Sequence, residues 1–285
     1  MAGIGFVTDS TAHVPDDLIA KYDLRIANLT VQFGQESFLE HDLTADEFFR
    51  RMKIKQPTSS QPTPDEFLRV YEDLAKDHDS IIVVTLSHKL SGTINTARLA
   101  AGMMQDKGVK ITVIDSLSAW MGTGLQAIAA GQAAADGKSH AEIVTLVERL
   151  VPKMQVLLVV DTLEYLQRGG RIGGAQALIG NMLQIKPLLC VRDGAVQPLE
   201  RVRTKRKAIE RVVEIMAQHI GTQPYTAAVG HAQAEAEAEQ LHATIRQRLP
   251  QARNIYTSPV SPVIAVHIGP GALGLVYYVD PPAAG

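Results

Sequence analysis

Small hydroxyl and carboxylate residues follow three apolar, strand-like runs of the sequence. The run 4–7 leads into Asp9 and Ser10, the run 81–86 into Ser91, Gly92 and Thr93, and the run 109–114 into Asp115 and Ser116. Because the carboxyl ends of parallel strands meet at one edge of an open α/β sheet, we expect these loops to converge on one crevice. A fourth polar stretch, Ser59-Ser60 ahead of Gln61-Pro62, is placed to join them. Hydroxyl and backbone N–H groups in such a crevice would bind an anionic group mainly through hydrogen bonds.

Other catalytic and cofactor patterns are incomplete. Five residues separate Gly131 from Gly137-Lys138-Ser139, whereas a Walker A loop has four, and the glycines at 122 and 124 lie well past the end of a strand. Gly-x-Ser-x-Gly is absent, which weakens an α/β-hydrolase interpretation. The nine histidines show no metal-ligand spacing. We therefore expect neither a cofactor nor a metal.

The composition is that of an ordinary soluble globular protein. The net charge is −2 and 46% of the residues are hydrophobic, which argues against a general nucleic-acid binder with a broad basic surface. Cys190 is the single cysteine, so no internal disulfide is expected, and without a signal-like opening segment we expect a cytoplasmic protein. No apolar run approaches the ~20 residues of a bilayer span, so stable membrane insertion is not expected.

The elements that position these loops indicate two domains. In the first half, strands alternate with helices whose starts are marked by Pro15, Thr44, Thr63-Pro64 and Ser139, which predicts a doubly wound, mostly parallel α/β sheet in domain 1–155. The second half predicts a smaller α+β domain, 156–285, with a hairpin turning at Asp193-Gly194, helices over 205–219 and 232–249, and strands near 225–230 and 255. The stretch 267–271 is interpreted as a tight turn before a last strand over 274–279.

Seven motifs in fixed order resemble those of the DegV family. The motifs cover the whole chain: Val7-Thr8-Asp9-Ser10-Thr11, Ser59-Ser60-Gln61-Pro62, Leu90-Ser91-Gly92-Thr93, Asp115-Ser116, Leu166-Gln-Arg-Gly-Gly-Arg171, Ile185-Lys-Pro187 and His267-Ile-Gly-Pro-Gly-Ala-Leu-Gly274. The resemblance implies a two-domain fatty-acid-binding protein rather than an enzyme. It further implies a role like that of the FakB subunits of bacterial fatty acid kinase, which present a bound long-chain acid such as palmitate to an ATP-dependent partner subunit for acyl-phosphate formation.

The resemblance also implies site residues. Ser59, Ser60, Ser91, Gly92 and Thr93 match positions that hold the carboxylate; Ser59 stands where the family has threonine, which keeps the hydroxyl and loses a methyl group. Arg171 and His267 match positions near the carboxylate or the incoming phosphoryl group. The C-terminal domain would contribute the acyl-chain pocket. Candidates to line it are Leu178, Ile179, Met182, Leu183 and Ile185, although apolar residues of this kind more often form core than a lipid tunnel.

A partner surface and two alternative functions complete the hypotheses. The basic segment Arg201-Val-Arg203-Thr-Lys205-Arg206-Lys207 is predicted to dock an acidic surface of the kinase. One alternative is a serine acyl hydrolase that uses Ser91, His267 and an acid such as Asp9. The other is a sensor of a sugar or phosphate ester in the same crevice. Helix capping is the structural interpretation of Ser10, Ser91 and Thr93.

Overall fold

The protein divides into two compact units. A computed structural model describes residues 3–179 and 186–280. Unit 1 holds the described residues up to Pro152 together with Ser261–Ile264, and unit 2 holds those from Lys153 to Val260 and from Ala265 onward. The sequence-based boundary lies at 155/156, and the short segment 261–264 was assigned to the second domain. Three candidates for the acyl-chain pocket, Met182, Leu183 and Ile185, lie outside the described residues.

Unit 1 contains seven strands in two sheets: β1 (Gly3–Asp9), β2 (Leu24–Ala27), β3 (Thr30–Phe33), β4 (Glu36–Leu39), β5 (Thr58–Ser60), β6 (His78–Thr85) and β7 (Lys110–Asp115). The first sheet has the order β2-β1-β6-β7 and is parallel throughout. The second is antiparallel, with the order β4-β3-β5. The three polar loops singled out above therefore follow three neighbouring parallel strands, which confirms the expected α/β architecture.

Six helices belong to unit 1: α1 (Asp16–Lys21), α2 (Ala45–Met52), α3 (Pro64–Leu74), α4 (Thr93–Met103), α5 (Met121–Ala135) and α6 (His140–Leu150). Phe67 and Tyr71 of α3 and Ala97 of α4 pack against Val7 and Ile81 of the parallel sheet. Several helix starts agree with the sequence, since Thr44, Thr63 and Ser139 all accept a hydrogen bond from the third helical N–H. The near-Walker segment is not a phosphate loop, because Gly131 lies inside α5 and Ser139 caps α6.

Unit 2 is built on one six-stranded sheet, with strands β8 (Gln155–Val159), β9 (Lys186–Arg192), β10 (Ala195–Val202), β11 (Tyr225–His231), β12 (Ala252–Pro259) and β13 (Leu273–Val279). Its order is β10-β9-β8-β13-β11-β12, and every pair is antiparallel except β11 with β12. The helices are α7 (Glu164–Arg168), α8 (Lys205–Ile220), α9 (Glu235–Arg248) and α10 (Pro262–Ile268), the last beginning in the segment that groups with unit 1. Apolar residues of α8 and α9 form a core with the sheet.

The hairpin and the last turn differ in how well the sequence predicted them. Asp193 and Gly194 have φ values of 50° and 79°, as a two-residue hairpin turn requires, so that prediction is confirmed. The turn expected at 267–271 begins later, because His267 lies in the last turn of α10 and the positive φ values start at Gly269. Within the described ranges, the helices are too short or too polar for a transmembrane span.

Candidate functional site

Asp9 at the end of β1 ties two of the polar loops together. Its Oδ1 accepts hydrogen bonds from Thr11 N (3.1 Å) and Thr11 Oγ1 (2.5 Å), and its Oδ2 accepts one from Leu86 N (2.7 Å) in the loop after β6. Asp9 is fully buried, and this burial raises the pKa of its carboxyl to about 6. Asp9 thus organises the crevice loops, and both of its oxygens are used in doing so.

Ser10 bonds to a buried glutamate that the sequence did not single out. Ser10 Oγ donates a short hydrogen bond to Glu40 Oε2 and accepts one from Leu29 N at 3.0 Å. Glu40 Oε1 accepts from Val263 N at 2.7 Å. Burial raises the pKa of Glu40 to about 7, against the opposing effect of its hydroxyl and amide donors. Ser10 therefore supports Glu40 within unit 1, and a ligand would have to compete with that bond.

The Ser91-Gly92-Thr93 segment follows a tight turn after β6. Ser87 O accepts hydrogen bonds from Leu90 N (3.0 Å) and Ser91 N (3.1 Å), and Ser91 Oγ lies 2.9 Å from Thr93 Oγ1. Ser91 is half-buried, so its hydroxyl is within reach of a ligand. We call residues 87–93 the head-group turn.

The structure brings the head-group turn next to the Ser59-Ser60-Gln61 segment. A Cβ atom at Gly92 would overlap Gln61 Oε1, and Gln61 Nε2 donates to Thr96 Oγ1 of α4 at 2.6 Å. Any larger residue at position 92 would force the Gln61 amide to move. Ser59 and Ser60 lie on β5 opposite Val31 and Thr30. Since consecutive strand residues point to opposite sides, the two side chains cannot both face one ligand atom.

Asp115 and Ser116, at the end of β7, hold the next loop in shape. Asp115 Oδ1 accepts a hydrogen bond from Leu117 N (3.0 Å) and Oδ2 lies 2.5 Å from His88 Nδ1, in the head-group turn. Ser116 Oγ is buried and accepts from Ser118 N at 3.1 Å. Both residues therefore fix loop geometry. The His88 contact was not foreseen, because a single exposed histidine carries no pattern.

Arg171 and His267 lie together in unit 2. Arg171 Nη1 donates to Gly169 O at 2.7 Å, and a Cβ at Gly169 would overlap His267 Nδ1. Burial, with a contribution from the positive charge of Arg171, lowers the pKa of His267 to about 4. His267 is therefore a neutral imidazole at pH 7, next to a permanent cation.

The hydrolase alternative gains no support from these contacts. Both oxygens of Asp9 accept from Thr11 and Leu86, an arrangement that leaves Asp9 poorly suited to orient a catalytic imidazole.

The basic segment is partly neutralised. Thr204 caps α8, Lys205 Nζ lies 3.2 Å from Glu237 Oε1, and Arg206 lies 4.0 Å from Glu210. Among the described residues, the exposed side chains Arg201, Arg203 and Lys207 have no ion-pair partner. These three carry the net positive charge of the segment.

Comparison with known proteins gives full-length matches. A family model described as an uncharacterised protein of the DegV family matches residues 3–280. A DegV domain-containing protein of Clostridium perfringens is 38% identical over 276 residues, which are 95% of this chain and 97% of that protein. Protein DegV of Bacillus subtilis is 33% identical over 279 residues, 96% of this chain and 98% of that protein.

Solved structures give the same result. A DegV family protein from Thermus thermophilus, described for its fatty acid binding, has a TM-score of 0.92 at 32% identity and covers 98% of this chain and 100% of its own. DegV from Bacillus subtilis, described as a fatty acid binding protein, has a TM-score of 0.91 at 32% identity with the same coverage.

Proposed function

The chain belongs to the DegV family, and we propose that it binds a long-chain fatty acid and presents the carboxylate to a partner kinase for acyl-phosphate formation. The main support is the full-length similarity to fatty-acid-binding DegV structures. The protein itself acts as a carrier in this proposal, with no turnover of its own.

The proposed carboxylate site is the head-group turn with the end of β5. Ser91, Gly92 and Thr93 are joined to the Ser59-Ser60-Gln61 segment through Gln61, which supports a shared role. Hydroxyl hydrogen bonds to a carboxylate contribute about 1.5–3 kcal/mol each, enough to orient the head group without locking it in an ion pair. A carboxylate held in this way keeps its reactivity.

Burial of the tail would supply most of the affinity. About 14 buried methylenes at ~0.8 kcal/mol each give up to ~11 kcal/mol before association costs. In this proposal the tail pocket belongs to unit 2, in keeping with the family resemblance.

Arg171 and His267 are proposed to act on the phosphoryl step. In acyl-phosphate formation a carboxylate oxygen bonds to the γ-phosphorus of ATP while the bond from that phosphorus to ADP breaks. Arg171 would offset the negative charge that builds up when phosphate meets carboxylate. His267, neutral because of its lowered pKa, would donate one N–H without adding a charge.

Delipidation and ligand addition test the proposal. Native mass spectrometry of the purified protein should detect a bound C16–C18 acid, and the delipidated protein should regain thermal stability when hexadecanoic acid is added, because a ligand that binds only the folded state stabilises it. Hexanoic acid, with the same head group and a short tail, is the matched control and should give little shift. An unchanged melting temperature with acids of every chain length would show that the proposal is wrong.

A further inference from the structure

The loop after β7 carries two buried polar atoms that no described residue satisfies. Trp120 Nε1 and Ser118 Oγ have no hydrogen-bond partner within residues 3–179 and 186–280. The two residues are 4% and 1% exposed. Leaving a buried donor unpaired costs about 1–3 kcal/mol, so each of these groups needs a partner other than the described side chains.

The backbone of this loop is strained at the same place. Trp120 has φ 50° and ψ −138°, and Leu117 has φ 46°. The left-handed region is disfavoured for bulky side chains, at a cost of about 1–3 kcal/mol for each residue. Strain of this kind persists only where the surrounding structure holds the residue in place, and it is frequent at ligand-binding sites.

The loop is bonded directly to the head-group turn. Ser87 N donates to Ser118 O at 2.8 Å, and His88 Nδ1 lies 2.5 Å from Asp115 Oδ2. All of these residues belong to unit 1. The two unsatisfied donors therefore lie in the segment that supports the turn bearing Ser91.

We infer that the Trp120 indole N–H and the Ser118 hydroxyl are further donors to the carboxylate of the bound fatty acid. An indole N–H can only donate, so its partner must be an acceptor, and a carboxylate offers about four acceptor positions. The hydroxyls of Ser91 and Thr93 bond to each other and have one hydrogen left to share between them. Together with that hydrogen, the Trp120 and Ser118 donors would fill three of these positions. This inference rests on the proposed function.

The Trp120 indole can be observed without overlap by NMR, because Trp120 is the only tryptophan in the sequence. In protein labelled with ¹⁵N, the indole N–H gives a single cross-peak. Adding hexadecanoic acid to the delipidated protein should move the indole proton downfield, as expected for a hydrogen bond to a carboxylate. Hexadecanol, which has the same tail and a neutral head group, should produce a clearly smaller shift.

Two variants separate binding from a structural role. Trp120→Phe keeps an aromatic ring and removes the donor, and Ser118→Ala removes a hydroxyl. A hydrogen bond to a charged group contributes about 1.5–3 kcal/mol, so Trp120→Phe should weaken hexadecanoic acid binding about 10- to 150-fold. Its affinity for hexadecanol should change by less than about threefold, which corresponds to ~0.6 kcal/mol. Ser118→Ala should act in the same direction and covers the case in which Trp120→Phe fails to fold.

The outcomes distinguish this inference from the proposed function. If hexadecanoic acid stabilises the protein but leaves the indole cross-peak unmoved, the inference is wrong and the proposed function stands. Equal loss of acid and alcohol affinity in both variants would also overturn the inference. If neither ligand binds the wild-type protein, the proposed function is wrong and the inference falls with it.

Discussion

Ser91 and His267 have different tasks in the proposed function, and single substitutions should separate them. Ser91→Ala removes one hydroxyl donor to the carboxylate, worth about 1.5–3 kcal/mol, so hexadecanoic acid should bind about 10- to 150-fold more weakly while tail burial of up to ~11 kcal/mol keeps the lipid bound. His267→Ala should retain the lipid and lose acyl-phosphate formation, measured with the ATP-binding subunit of a bacterial fatty acid kinase. Equal loss of bound lipid in the two variants would contradict this separation.

Glu40 should make the stability of the protein depend on pH. Its pKa is raised from 4.5 to about 7 by burial, so the folded state takes up a proton more readily than the unfolded state. The stabilisation is complete below pH 4.5 and is lost as the pH rises through 7, an effect of roughly 3 kcal/mol. Glu40→Gln keeps an acceptor for Val263 N–H and removes this titration.

Urea unfolding at pH 5 and pH 8 measures that contribution. The free energy of unfolding of Glu40→Gln minus that of the wild type should be larger at pH 8 than at pH 5. Glu142→Gln is the control, because hydrogen bonds from Ser139 lower the pKa of Glu142, so its contribution is lost only below pH 4.5 and should not change between pH 5 and pH 8. The same pH profile in both variants would disagree with this prediction.

Residues whose partners are near in sequence were the easier ones to predict. Ser91 and Thr93 belong to one turn, and their hydroxyls are in contact. Glu40 escaped prediction because its amide partner, Val263, is 223 residues away. Gln61 was seen only as part of a motif, and its contact with Gly92 depends on how β5 is placed beside α4. Arg171 and His267 were predicted as neighbours by resemblance alone.

At the scale of elements, a glycine-to-alanine substitution should change the free energy of unfolding in opposite directions in α4 and α5. Gly102 in α4 is exposed and has open space where a Cβ would lie, so Gly102→Ala should raise the free energy of unfolding by about 0.5–1 kcal/mol. Gly131 in α5 is buried, and a Cβ there would lie 2.6 Å from the Tyr22 ring. Tyr22 is held by a 2.7 Å hydrogen bond from its hydroxyl to Gln132 Oε1, so Gly131→Ala should cost about 1–3 kcal/mol.

Chemical denaturation of both glycine variants provides the measurement, and each serves as the control of the other. A stabilised Gly131→Ala would show that Tyr22 moves aside without cost. A destabilised Gly102→Ala would contradict the gain expected from replacing a helical glycine.

Long apolar strands and capped helices could be predicted from the sequence, whereas short strands could not. β1, β6 and β7 are apolar runs flanked by polar loops, and their pairing follows from their alternation with helices. β2 to β5 have three or four residues each, too few to show an alternation. α10 was missed although Ser261-Pro262 is a typical helix start, because the glycines after His267 favoured a turn.

At the scale of the whole molecule, the exposed cations of the basic segment should increase the rate of association with the kinase. Arg203→Glu with Lys207→Glu should retain bound lipid and slow kinase-dependent phosphorylation several-fold at low salt, with a smaller difference at high salt. Lys53→Glu with Lys107→Glu, at exposed sites elsewhere, is the matched control and should leave the rate near that of the wild type. A wild-type rate for Arg203→Glu with Lys207→Glu at low salt would exclude this docking surface.

The position of β13 has a consequence for synthesis of the protein. This strand, the last of the described chain, lies between β8 and β11 in the middle of the unit 2 sheet. Until the ribosome has delivered residues 273–279, β8 and β11 each expose an unpaired edge that can pair with another nascent chain. Unit 1 also lacks one of its contacts until late in synthesis, because the backbone N–H of Val263 donates a hydrogen bond to Glu40. A chain that stops just before Leu273 should therefore aggregate rather than yield half of a working protein.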